Sequence, residues 1–139
     1  MKRNFALINQ KIETTQFLDY ETIDIGALGS IINYSVDNLS CGCLEYEDLD
    51  TIKSIFESAC LKLKPKGIMT IYLTDTKKLM SAYVSGAISS KTMLETLNHK
   101  KSLLSVDDIC SLIDVSNFKL LQIDPTNNLL IISLQRISL

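Results

Sequence analysis

Ser35-Val36-Asp37-Asn38-Leu39-Ser40-Cys41-Gly42-Cys43-Leu44-Glu45-Tyr46 leads into an amphipathic segment, which ends in Leu63-Lys64-Pro65-Lys66-Gly67-Ile68-Met69-Thr70-Ile71-Tyr72-Leu73-Thr74-Asp75. Asn38 to Gly42 reads as a strand introduced by the turn residues Ser35 and Asp37. From about Leu49 to Leu63, Ile52, Ile55, Phe56, Ala59, Cys60 and Leu63 recur at three-and-four spacing, which predicts a helix with one apolar face. Asp48 or Asp50 can cap its start, and Lys62, Lys64 and Lys66 suit the negative end of its dipole. Pro65 stops the helix, Gly67 permits a turn, and Ile68 to Leu73 forms the next strand. Strand, helix, turn and strand in succession build a parallel pair with a helix packed on its face.

Upstream of this unit, Phe5 to Ile8 is a short, continuously apolar run of the kind a buried strand shows. A polar stretch follows, from Asn9 through Gln16. Tyr20 to Ile25 then reads as a second strand, with Asp24 near its end and a loop punctuated by Gly26 and Gly29. Downstream, Thr74-Asp75-Thr76 can cap a helix from Lys77 to about Val84, ended by Gly86. Ser89-Ser90 breaks the chain before a helical stretch containing Met93, Leu94 and Leu97. Ser105-Val106-Asp107-Asp108 starts another helix, whose buried side is Ile109, Leu112 and Ile113. Phe118 to Ile123 and Leu129 to Ile137, joined by a turn over Asp124-Pro125-Thr126-Asn127-Asn128, form an antiparallel hairpin. The expectation is a single α/β domain over residues 1–139, with a mixed sheet and flanking helices.

Composition narrows the function classes. Hydrophobic residues at 46% and charged residues at 22% fit a packed globular chain and argue against disorder. The net charge is −2 and the fourteen basic residues are scattered, which argues against nucleic acid as a partner. Met1 to Asn4 leads into only four apolar residues, too few for a signal-peptide core, and no stretch approaches a membrane span. No membrane partner is expected, and the expected setting is the cytoplasm. Cys41, Cys43, Cys60 and Cys110 fit reduced, buried thiols, with Cys41 and Cys43 on one face of their strand. Zinc would need further ligands, and the single histidine, His99, is remote in sequence and flanked by Asn98, Lys100 and Lys101. Neither a catalytic residue nor a metal ligand is expected.

Three segments resemble the class I S-adenosylmethionine-dependent methyltransferases, in particular the branch associated with surface-glycan synthesis. Ser35-Val36-Asp37 is similar to that branch's Ser-Val-Asp strand. Leu44-Glu45-Tyr46 stands where it has Leu-Glu-His, Leu63-Lys64-Pro65-Lys66-Gly67-Ile68 looks like its Leu-Lys-Pro-Gly-Gly turn, and Asp75, the Tyr83-Val84-Ser85-Gly86 break, His99 and the Ser105–Phe118 stretch fall in the order of its C-terminal half. The resemblance implies a Rossmann-like sheet. It also implies a ribose-binding role for Asp24 and a cofactor loop over Asn9 and Gln10, after the first strand.

The departures point away from catalysis. The family's cofactor loop is Gly-rich because a Cβ would obstruct ligand approach, yet here no glycine lies between Met1 and Gly26. An acid ending a strand, like Asp24, also serves as a turn or cap residue. Gly26 to Tyr34 is too short for the crossover and strand that the family places there, so the sheet is expected to lack one edge strand. Tyr46 replaces the family's histidine. The expected function is therefore a degenerate, non-catalytic methyltransferase-like module with no cofactor, working through a protein partner or self-association at an open sheet edge. One alternative is a compact methyltransferase using S-adenosylmethionine on a small molecule or sugar. Another is a homo-oligomeric structural protein, for example in a viral particle.

Overall fold

The computed structural model describes residues 2–8, 19–113, 116–126 and 129–137. Six strands form one sheet: β1 (Asn4–Ile8), β2 (Glu21–Asp24), β3 (Val36–Cys41), β4 (Leu63–Thr74), β5 (Phe118–Thr126) and β6 (Leu129–Arg136). Four helices accompany them: α1 (Leu49–Lys62), α2 (Thr76–Val84), α3 (Ser90–Thr96) and α4 (Val106–Leu112). The strand order is β2-β1-β3-β4-β6-β5. The β2, β1, β3 and β4 strands are mutually parallel, and β6 runs antiparallel to both β4 and β5. This is the expected mixed α/β sheet with its C-terminal hairpin. Among the described residues β2 is outermost on its side and no strand lies between Asp24 and Val36, in keeping with the expected loss of an edge strand.

Side chains alternate across a strand, so the register assigns each residue to a face. One face carries Phe5 and Leu7 of β1, Leu39 and Cys41 of β3, Met69, Ile71 and Leu73 of β4, and Ile132 and Leu134 of β6. All are buried, and they form one cluster with Ile52, Ile55, Phe56 and Ala59 of α1 and with Ile109 of α4. Each fully buried Leu, Ile, Met or Phe contributes about 1.5–3 kcal/mol, so this face holds the sheet and α1 together. The opposite face has a transverse row of small and polar side chains: Thr22, Ala6, Ser40, Thr70, Ser133 and Gln122. Among the described residues no helix is long and apolar enough to cross a membrane.

Several boundaries differ from the sequence reading. α1 ends at Lys62, and β4 starts immediately at Leu63, so Leu63-Lys64-Pro65-Lys66-Gly67 lies inside a strand and is no separate turn. A bulge reconciles the two: Val36 pairs with Leu63 but Asn38 pairs with Ile68, so β4 absorbs extra residues there. Gly67 is needed for close approach. A Cβ there would lie 2.8 Å from the Lys64 carbonyl oxygen and 2.9 Å from that of Val36. The left-handed residue is Lys66, with φ of 68°. A side chain in that region costs about 1 kcal/mol, more than glycine's extra unfolded-state entropy, so Lys66→Gly is expected to stabilise the fold by roughly 0.5 kcal/mol. A raised urea midpoint would show this, and a lowered one would refute the strain.

β3 begins at Val36 and ends at Cys41, so Cys43 lies outside the strand, and the two thiols do not share a strand face. The stretch around Gly26 and Gly29 is a 3-10 turn, Ile25–Ser30, and no open loop. Asp124 and Pro125, read as turn residues, remain in β5 opposite Ile131 and Leu130. Proline is tolerated there because β5 is an edge strand.

Candidate functional site

Open parallel sheets take ligands beyond the carboxyl ends of their strands. Here that rim is formed by Ile8, Asp24, Cys41 to Glu45, and Thr74 with Asp75. Asp24 pairs with Ile8 in register and is half-buried. Its Oδ2 accepts a 2.9 Å hydrogen bond from the Gly26 N–H and so caps the 3-10 turn. A Cβ on residue 26 would sit 3.0 Å from that oxygen, which accounts for glycine at this place. The two other expected cofactor residues, Asn9 and Gln10, lie outside the described residues.

Cys41 and Cys43 are free, buried thiols. Their mutual hydrogen bond, then burial, raises Cys41 well above the usual thiol value, and the same hydrogen bond lowers Cys43. Burial also pushes the Cys60 thiol up to about 12. Among the described residues no group of three or more His, Cys, Asp or Glu side chains is placed to hold a metal ion. His99 is exposed, with φ of 64°.

The residue that organises the rim is Glu45, which follows β3 and is only 4% exposed. Its Oε1 accepts from the Thr74 N–H and hydroxyl, both at 2.8 Å, and lies 3.4 Å from the Lys100 ammonium. Its Oε2 accepts from the Leu104 N–H at 3.1 Å. Lys100 also donates to the Thr74 hydroxyl and stands over the Tyr46 ring, 5.9 Å from its centroid. The Glu45 carbonyl accepts from the N–H groups of Lys101 (2.8 Å) and Ser102 (3.1 Å), and the Ser102 hydroxyl donates to the Glu47 carbonyl. Residues 100–104 are thereby laid across the carboxyl ends of β3 and β4. The Leu-Glu-Tyr motif lies at this place, and its Tyr46 is half-buried against the core. In sequence Glu45 stands among Glu47, Asp48 and Asp50, so nothing local sets it apart as the buried acid.

Beside this plug is a cleft of about 540 Å³, walled by the start of α2, the Leu103–Asp108 segment and Leu130 of β6. Asp24 and Glu45 are not among its walls. Asp75 caps α2 through the Lys78 N–H (3.2 Å), and Asp108 closes a capping box with Ser105.

No protein-family model matches the chain, and no curated protein matches it. Solved structures do. An O-methyltransferase family protein from Burkholderia thailandensis superposes with a TM-score of 0.59 at 19% identity, over 86% of this chain and 36% of that one. The 1,6-didemethyltoxoflavin-N1-methyltransferase of the same organism, solved with 1,6-didemethyltoxoflavin and S-adenosylhomocysteine, gives 0.57 at 9% identity, over 86% and 52%. An S-adenosylmethionine-dependent methyltransferase from Mesorhizobium loti gives 0.54 at 14% identity, over 84% and 68%. This chain thus spans about a third to two thirds of those proteins. Together with the sheet order, this likeness settles the architecture: the chain carries the Rossmann-like fold of the class I S-adenosylmethionine-dependent methyltransferases.

Proposed function

We propose that this chain is a methyltransferase-fold module that works by binding a protein partner and does not transfer methyl groups. The observation that carries this reading is the Glu45 plug. At the carboxyl ends of β3 and β4 the chain's own Lys100 and Leu104 are each held by Glu45. One further feature supports it: residues 9–13 contain no glycine to let a cofactor approach the backbone. The Ser35-Val36-Asp37 and Leu63–Gly67 motifs support kinship with the glycan-associated branch.

A partner would meet β5. That edge exposes Leu120, Leu121 and Ile123, each at about 40%. The β2 edge is four residues long and bears Glu21 and Asp24 at its ends, features that discourage strand addition.

Titration calorimetry with S-adenosylmethionine is the test. We expect no saturable heat up to about 1 mM, a weaker affinity than roughly 4 kcal/mol of binding would give. Micromolar binding that is lost in Asp24→Ala would overturn the proposal in favour of a compact methyltransferase acting on a small molecule or sugar.

A further inference from the structure

The cleft beside α2 adjoins the rim at Asp75 and the Glu45 plug at Leu104, while Asp24 and Glu45 themselves are not among its walls. At about 540 Å³ it is in the range of small-molecule sites, roughly 300–1,000 Å³. Leu104, Val106 and Leu130 give it apolar walls, and Leu104 is only 4% exposed. Three carboxylates, Asp75, Asp107 and Asp108, line it against the single ammonium of Lys77. Asp75 and Asp108 each give one oxygen to a backbone N–H, at 3.2 Å and 2.8 Å. A carboxylate has about four acceptor sites, so these bonds leave capacity for another donor. Asp107 is exposed and takes no part in the capping box.

We propose that this cleft binds a small amphiphilic monoammonium compound, with its hydrocarbon body against Leu104, Val106 and Leu130 and its ammonium among the carboxylates. The apolar walls supply the burial that holds the body. The charge balance selects the head group: a cation is attracted, a neutral polar group gains only hydrogen bonds, and an anion faces repulsion. Occupation of this cleft does not depend on S-adenosylmethionine binding at Asp24, which is not among its walls.

The experiment is a nuclear magnetic resonance titration of the whole chain with three probes of one shape: 2-phenylethylammonium, 2-phenylethanol and 3-phenylpropionate. Saturable shifts are expected at the amides of Thr76, Lys77 and Leu104 to Asp107 with the ammonium probe. Binding of the alcohol should be about tenfold weaker, and the carboxylate should give no saturation. Asp107→Asn, a substitution outside the capping box, should weaken the ammonium probe by about threefold to tenfold while leaving the alcohol unchanged. Absence of saturable shifts with the ammonium, equal binding of the three probes, or an Asp107→Asn variant that binds all of them as before would each overturn the proposal.

Discussion

Replacing Glu45 by alanine is expected to destabilise the chain by about 3–5 kcal/mol, the range seen when one member of a buried charged pair is removed. The physical reason is what remains behind. Glu45 accepts from the Thr74 N–H, the Thr74 hydroxyl and the Leu104 N–H, and it faces the Lys100 ammonium, whose side chain is only 12% exposed. Without the carboxylate, two buried N–H groups lose their acceptor and a nearly buried cation loses its partner, each a desolvation cost with no return. Glu45→Gln retains one acceptor but turns the other oxygen into a donor, so it should cost less, about 1–3 kcal/mol. Urea unfolding measures both. Hydrogen exchange at residues 100–104 gives a second readout, since these amides should open before the rest of the sheet in Glu45→Gln. A Glu45→Ala loss under about 1 kcal/mol would mean the segment is held by something other than this carboxylate.

The fold was legible where periodicity is local. The α1 stripe of Ile52, Ile55, Phe56 and Ala59 is buried as its spacing requires, and the apolar runs of β1 and β4 lie in the sheet. Breaker residues misled where tertiary pairing overrides them. Pro65 and Gly67 read as a stop and a turn, yet pairing with β3 draws them into a bulged strand. In the same way, pairing with β6 keeps Asp124 and Pro125 in register past the expected turn. Asp24 fits either a ligand role or a cap in sequence, and the Gly26 N–H it accepts from lies only two residues on, as an Asp-x-Gly sequence allows. The role of Glu45 was not readable, because its partners Thr74, Lys100 and Leu104 lie 29, 55 and 59 residues away. A buried acid in sequence announces that partners must exist, but it does not name them.

At the opposite end of the sheet, Arg136→Ala is expected to cost about 3 kcal/mol, through a lost charged hydrogen bond together with lost stacking. Arg136 is 4% exposed, and its guanidinium donates to the Cys60 carbonyl at 2.7 Å, in the last turn of α1. It also lies between two rings, 5.0 Å from the centroid of Tyr34 and 5.3 Å from that of Phe118. Lys62 acts nearby: its buried ammonium donates to the Ile31 carbonyl (2.9 Å) and to Asn33 Oδ1 (2.8 Å). Both cations sit at the C-terminus of α1, where the helix dipole favours them, and both brace residues 31–35 against that end of the helix. Arg136→Lys can still reach a carbonyl but loses the flat face that fills the space between the rings, so about 1–2 kcal/mol of the loss should remain. A lysine variant as stable as the parent would show that charge alone matters and that the rings do not. Arg136 and Glu45 stand at opposite ends of the strands, so their penalties should add to within about 0.5 kcal/mol. Arg136 and Lys62 both brace the 31–35 segment, and their double variant should depart from additivity by more than that.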